Sequence, residues 1–554
     1  MFRKIYRKVV LKFGGSRIFY FCYRILYFLK VIFLVKPGLS RSLQDDLIQV
    51  KDVTTAKPVV IVPILETNHY QHVHVLHMAK AFELRGYDVL VIICDEYMPA
   101  CEIKNCRSDN DPDPCFTCRT NRTHLLDLFR LNYLTLSQIF CGIPDPISHG
   151  QEMIDEYDVD WKLLNDMIED SVTRHFYGGE TNFEESLVAD VRKGHNSTAH
   201  ISLALADVLL KRYRPAIIFN NMYVYSAWGP VFNLLETQGV VPITMNMSAF
   251  DFSAIRLNNA DLFRHNGTFN RFVLDRNDEP LDTAETKTLN RFIQNRKSGN
   301  DNLMKEWEFF QQIPGTELHV DNKRKNVFLF PNVPWDTGLN EFTGPFSSVI
   351  EWVEYTIIHF ANHEEIDLWI KPHPAEVRGP STSSKSVSQF IMTKFPVLPQ
   401  NIHVIDPDLG LNTYSLFQFI DCGVILTGTL GLEMALDNIP VVSAGVNPCY
   451  GLGLLSEPAT KEEYVDAIES WDNSVKRMPE LMRFCYFYFI RQSFKWPLTE
   501  RVWSDDLRGF SFSKVSGLAA GKINDLDAIF EEIEFLIDDF RSNSAASIVQ
   551  AKTP

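Results

Sequence analysis

One segment, Gly423-Val-Ile-Leu-Thr-Gly-Thr-Leu-Gly-Leu-Glu-Met-Ala-Leu-Asp-Asn-Ile-Pro-Val-Val442, constrains the fold more than any other. It reads as strand, small hydroxyl-bearing turn, helix and strand, with Pro440 introducing the last element. Both apolar runs are short and unbroken, as in parallel strands buried on two faces. Parallel neighbours need a crossover, and the helix between them supplies it.

The alternation extends backwards from this segment. Strands are expected over 326–330, 367–370 and 402–405, with helices over 347–362, 386–395 and 413–420 between them. That is the pattern of an open, doubly wound sheet. An earlier series has strands over 58–64 and 87–94 around a helix over 73–85. It resumes with a strand over 216–219, a helix over 227–237 and a strand over 240–245.

At 554 residues the chain exceeds what one core supports. The expected architecture is α/β, with two doubly wound Rossmann-like domains over 58–270 and 326–500. A polar, helix-prone connection spans 271–325, and a helical extension and tail spans 501–554. Apolar residues at 45% and charged residues at 22% set disorder aside for most of the chain.

The net charge of −16 is unevenly placed. Residues 1–40 hold nine Lys or Arg and no Asp or Glu, so the remainder is more acidic than the total. An acidic body argues against nucleic-acid partners, and a basic end favours an anionic lipid surface. Residues 18–35 are almost wholly apolar but contain Arg24 and Lys30. That favours an in-plane membrane helix with snorkelling side chains, with a spanning or buried helix as alternatives. No small-residue cleavage site follows, so no secretory leader is expected.

Three loops carry polar chemistry. Thr427-Gly428-Thr429 offers backbone N–H groups and hydroxyls at a helix start, suited to a phosphate. Glu433, one turn on, could accept from a sugar hydroxyl, or could merely cap the helix. Lys371-Pro-His-Pro-Ala-Glu376 follows a strand directly, where Lys371 and His373 could offset charge on a leaving phosphate. In the first series, Glu66, His69 and His72 follow the first strand and could deprotonate an acceptor hydroxyl, whereas His74 and His77 read as structural. Asn220 and Asn221 could hold acceptor hydroxyls or form a packed turn.

Cys101, Cys106, Cys115 and Cys118 could form a structural zinc knuckle, with a redox or disulfide role and ordinary free thiols as alternatives.

Pro331-Asn-Val-Pro-Trp-Asp336, Lys371-Pro-His-Pro-Ala-Glu376 and Thr427-Gly-Thr-Leu-Gly-Leu-Glu-Met-Ala435 together resemble the capsular polysaccharide biosynthesis proteins, relatives of the capsule Kdo transferases. The resemblance is strongest over 326–455. It implies a GT-B fold and a glycosyltransferase that needs no cofactor for catalysis. The second domain would bind a nucleotide-sugar donor through Asn332, Asp336, Lys371, His373, Glu376, Thr427, Gly428, Thr429, Gly431 and Glu433. The first would take a glycan or lipid-linked acceptor, at the cytoplasmic face of a membrane. Thr427-Gly428-Thr429 departs from the serine–threonine pair common in relatives, so donor identity does not carry over. A CDP-polyol phosphotransferase, a nucleotide-sugar epimerase and a non-catalytic GT-B scaffold are the competing expectations.

Overall fold

The computed structural model describes residues 58–550 except 66–68, 106–112, 248–253, 260–278, 299–317, 322, 337–343, 379–381, 472–476, 496–499, 502–509 and 512–523. The basic segment expected to meet a membrane lies outside the described residues. Among those described, no helix is long and apolar enough to cross a membrane.

The first domain begins with β1 (Val59–Ile64), α1 (His69–Leu84), β2 (Asp88–Ile93), α2 (Pro114–Phe129) and β3 (Tyr133–Thr135). Four helices follow: α3 (Leu136–Ile139), α4 (Pro146–Glu156), α5 (Trp161–Phe176) and α6 (Glu185–Tyr213). Then come β4 (Ile217–Asn220), α7 (Tyr225–Thr237), β5 (Val241–Met247) and β6 (Ala254–Asn259). Helix α8 (Thr283–Lys297) lies in the stretch expected to connect the domains.

The second domain holds β7 (Lys325–Phe330), α9 (Val349–Phe360), β8 (Ile366–Ile370), α10 (Val387–Lys394), β9 (Ile402–Val404), β10 (Cys422–Ile425), α11 (Leu430–Leu436), β11 (Val441–Ser443), α12 (Lys461–Glu469) and α13 (Met478–Tyr486). After it come a short strand, β12 (Phe494–Lys495), and α14 (Asn524–Gln550). The stretch expected as a helix over 413–420 is a 3-10 segment, Thr413–Phe419, started by the Asn412 side chain accepting from Tyr414 N.

Each domain's parallel strands lie in the same order. In the first sheet the run is β3-β2-β1-β4-β5, extended by antiparallel β6 and β12; in the second it is β9-β8-β7-β10-β11, parallel throughout. The direction of winding reverses between β1 and β4, and again between β7 and β10. Connections leaving such a pair run to opposite faces, which opens a crevice at the carboxyl ends of the strands. Local signals agree with the crossovers: Ser348 caps α9, and Ser386 with Gln389 forms a reciprocal capping box on α10.

Two findings change the division along the chain. Helix α8 is not a free connector, because Leu289, Phe292 and Ile293 are buried in the second domain's core. The C-terminal extension is not peripheral either, because α14 returns to the first domain. There Leu526, Ile529, Phe530, Ile533, Leu536 and Ile537 pack with Phe82, Phe219 and Ile243. Arg85 pairs with Asp527 and lies over the Phe530 ring, 3.9 Å from its centroid. The first domain's core is therefore built from residues on both sides of the second domain.

Ile533 is fully buried in that contact. Ile533→Ala is expected to cost about 3 kcal/mol, read as a lower urea midpoint. A loss below about 0.5 kcal/mol, the range of surface changes, would show that α14 does not complete this core.

Candidate active site

The crevice of the second domain is built by three loops, each at the carboxyl end of a strand. Residues 331–336 leave β7, residues 371–376 leave β8 and residues 426–429 leave β10. The first and third are joined across the switch point, where Asn332 Oδ1 accepts from Thr427 N at 3.4 Å. Gly428 has φ +113°, a conformation that L side chains rarely adopt, and the space where a Cβ would stand is open. Gly431 is tight for a different reason: a Cβ there would meet Ile425 Cδ1 at 2.4 Å, so the glycine lets α11 pack on β10.

Lys371 is buried at the end of β8, its backbone N–H bonded to Leu329 O at 2.9 Å. Its ammonium has no carboxylate partner among the described residues, and burial lowers its pKa to about 8. His373 Nδ1 accepts from Ala375 N at 3.1 Å, which places the proton of the neutral ring on Nε2. Burial and the neighbouring Lys371 lower its pKa to about 4. The pair therefore differs from the expectation of two cations: near neutral pH, Lys371 carries the charge and His373 presents a neutral imidazole.

Two expected donor contacts turn to partners within the protein. The Glu376 carboxylate turns into the domain and accepts from Val387 N at 2.9 and 3.1 Å, holding the start of α10. Glu433 is buried and accepts from Tyr414 Oη at 2.5 Å, with Arg296 Nη1 4.0 Å away. The capping alternative is not formed, since the Thr429 side chain makes no cap bond. Direct contact of Glu433 with a sugar would require displacing Tyr414. Asp336 is exposed, with its N–H on Val333 O.

In the first domain, Glu66 lies outside the described residues. His69 and His72 fall within α1 rather than in the loop before it, because the helix begins four residues earlier than the apolar pattern indicates. Asn220 ends β4, and its side chain is spent across the switch point: Nδ2 donates to Pro63 O at 2.6 Å and Oδ1 accepts from Asn221 N at 2.7 Å. It joins the two strands rather than presenting a free amide.

The cysteine cluster also departs from a knuckle. Cys115 and Cys118 lie in the first turns of α2, where Cys118 Sγ accepts from Arg122 at 3.5 Å. Cys101, Cys115 and Cys118 form no disulfide. Among the described residues they do not gather into a group that could hold a metal; Cys106 lies outside the described residues.

Sequence reading missed the contact between the domains. Trp335, inside the first motif, meets Tyr177 edge to face at 5.3 Å and lies 4.6 Å from the Arg174 guanidinium. Its Nε1 donates to Ser383 Oγ at 2.8 Å, and Ser383 in turn bonds the Glu376 carboxyl. Ser384 N donates to Tyr177 O at 2.9 Å. Gly179 permits this approach, since a Cβ would stand 2.4 Å from Ser384 Cβ. A buried cluster was also missed. His195 Nδ1 and Ser226 Oγ lie 2.8 Å apart, Ser226 N donates to Ser171 Oγ at 2.8 Å, and burial lowers the His195 pKa to about 3.

These loops and strand orders define the chain as a two-domain parallel-sheet α/β protein of GT-B-like plan. Residues 307–478 match the family model described as capsule polysaccharide biosynthesis protein. No curated protein matches the sequence. The chain is similar to two KpsC structures from Thermosulfurimonas dismutans. One is titled beta Kdo 2,4 transferase (11% identity, TM-score 0.36, 59% of this chain and 88% of that one). The other is titled beta Kdo 2,7 transferase (11%, 0.32, 59% and 89%). It is also similar to the Neisseria meningitidis UDP-GlcNAc 2-epimerase bound to UDP-GlcNAc (12%, 0.25, 86% and 99%).

Two expectations follow. Gly179→Ala should cost about 1–3 kcal/mol by overpacking the interdomain contact and hasten proteolysis between the domains; an unchanged unfolding midpoint and digestion rate would remove this contact from the argument. Burial raises the Glu376 pKa from the ordinary 4.5 to about 8, so the folded protein keeps a proton that the unfolded chain releases. The stability it contributes is complete below about pH 4.5 and is lost as pH rises through about 8. Glu376→Gln should remove that decline, measured as the difference in urea midpoint between the two proteins across this window.

Proposed function

We propose that this chain is a glycosyltransferase of capsule-type polysaccharide assembly that uses a nucleotide-sugar donor. The observation that carries the reading is Lys371: a buried ammonium without a carboxylate partner among the described residues, beside a switch-point crevice inside the segment that matches the capsule family model. Burying an uncompensated charge is costly, and an anionic ligand would offset the cost. A diphosphate seated there would face Lys371, His373 and the backbone N–H groups of 427–429. As the bond to the sugar breaks, charge grows on the leaving phosphate, and Lys371 would stabilise it.

The remaining assignments are proposals of the same reading. Donor contacts come from Asn332, Lys371, His373, Thr427, Gly428 and Thr429. The acceptor is a growing glycan or lipid-linked sugar bound by the first domain, with Glu66, His69 or His72 as the base that takes the hydroxyl proton. Glu433 acts indirectly, by fixing Tyr414 and α11. Catalysis proceeds without a cofactor, and the basic segment at residues 1–40 holds the protein at the cytoplasmic face of a membrane.

The test separates charge from folding. Lys371→Met removes an unpaired buried cation, so without ligand the variant should be as stable as the parent or more so. It should nevertheless lose the rise in melting temperature that the matching nucleotide sugar gives the parent, and at least about tenfold in turnover. His373→Ala should keep donor binding better than turnover. A Lys371→Met protein that is destabilised yet still binds and turns over donor would sink the proposal. Product analysis distinguishes the other activities: an epimerase needs no acceptor, and a CDP-polyol phosphotransferase leaves phosphate in the new linkage.

A further inference from the structure

At the opposite end of the second domain, three side chains converge that take no part in the proposed transfer. His359 lies in the last turn of α9, His363 follows three residues after the helix, and Glu469 is the last residue of α12. Helix α9 leads from the carboxyl end of β7 to the amino end of β8, so its C-terminus is at the end of the sheet away from the 331–336, 371–376 and 426–429 loops. We propose that His359, His363 and Glu469 form a binding site for a divalent transition-metal ion of the zinc type.

The geometry suits that ion. Glu469 Oε1 lies 2.6 Å from His359 Nε2 and 3.4 Å from His363 Nε2. One ligand atom from each residue falls in a group whose members are all within 4.8 Å of one another. A tetrahedral ion with bonds of about 2.0–2.1 Å sets its ligands roughly 3.3 Å apart, so the observed separations need only small rotations of half-buried side chains. The imidazoles are already stacked, with centroids 4.6 Å apart and planes at 26°.

Proton counting points the same way. His363 Nδ1 lies 3.3 Å from Glu365 Oε1 while its Nε2 faces Glu469. A neutral imidazole has one N–H and cannot donate to both carboxylates. With the N–H given to Glu365, the Nε2 lone pair faces the group, the outer carboxylate–histidine arrangement found around bound metals. Charge agrees as well. Glu469 has no Lys or Arg partner among the described residues, and the C-terminal ends of α9 and α12 both direct their partial negative charge here.

Two histidines and one carboxylate leave a tetrahedral ion one place for water. The site joins two helices far from the donor loops, so the ion would tether α9 to α12 and stabilise the domain.

The test uses the full chain stripped with a chelator and titrated with zinc chloride. One equivalent should bind and raise the melting temperature. His359→Ala and Glu469→Gln should each weaken that equivalent at least about tenfold and abolish the rise, while Cys115→Ser with Cys118→Ser should leave both unchanged. Cobalt at the site should give visible bands of a tetrahedral nitrogen and oxygen set without thiolate charge transfer. Zinc binding of equal stoichiometry and affinity in the parent and in the His359→Ala, Glu469→Gln double variant would overturn the proposal, as would thiolate bands that disappear in the cysteine variant. Either result leaves the donor-site reading untouched, because that is measured by nucleotide-sugar binding.

Discussion

The crevices at the carboxyl ends of both sheets follow from one constraint on parallel strands. A strand and its parallel neighbour must be linked by a crossover, and a sheet wound outward from its first strand in both directions must reverse once. In both domains that reversal falls beside the first strand, between β1 and β4 and between β7 and β10. The two loops leaving such a pair part to opposite faces, and polar groups gather where they separate. In the first domain the Asn220 amide closes the gap by bonding Pro63 O; in the second, Asn332 reaches Thr427 N over a longer 3.4 Å.

That difference gives the two crevices unequal chemistry. The second crevice keeps a buried cation and backbone donors, fitting a preorganised site for a phosphate. The first is tied shut at its centre. There Tyr225, the first residue of α7, takes φ +68°, costly for a residue with a side chain.

Much of the fold was legible because buried parallel strands advertise themselves. Runs such as Val-Phe-Leu-Phe over 327–330 are unbroken and short, and the observed strands fall within a residue or two of the expected spans. Periodicity served less well where burial does not follow one face. Helix α1 begins at His69, before its apolar pattern does, and α6 carries a polar first half. The site loops were legible as loops, since they follow strands directly. The direction of a side chain was not. Whether Glu433 faces a ligand or Tyr414, and whether Glu376 faces the crevice or the start of α10, depends on residues far away in sequence. Trp335 is the clearest case, because its partners Arg174 and Tyr177 belong to the other domain and leave no local trace.

The return of α14 to the first core bears on how the chain comes off the ribosome. Residues 524–550 are made after the entire second domain, so the face formed by Phe82, Phe219 and Ile243 stays uncovered until that domain has been synthesised. The second domain, contiguous from α8 onward, can close while that face waits. Folding then runs against the usual amino-to-carboxyl order, and the exposed face is a target for chaperones during the interval.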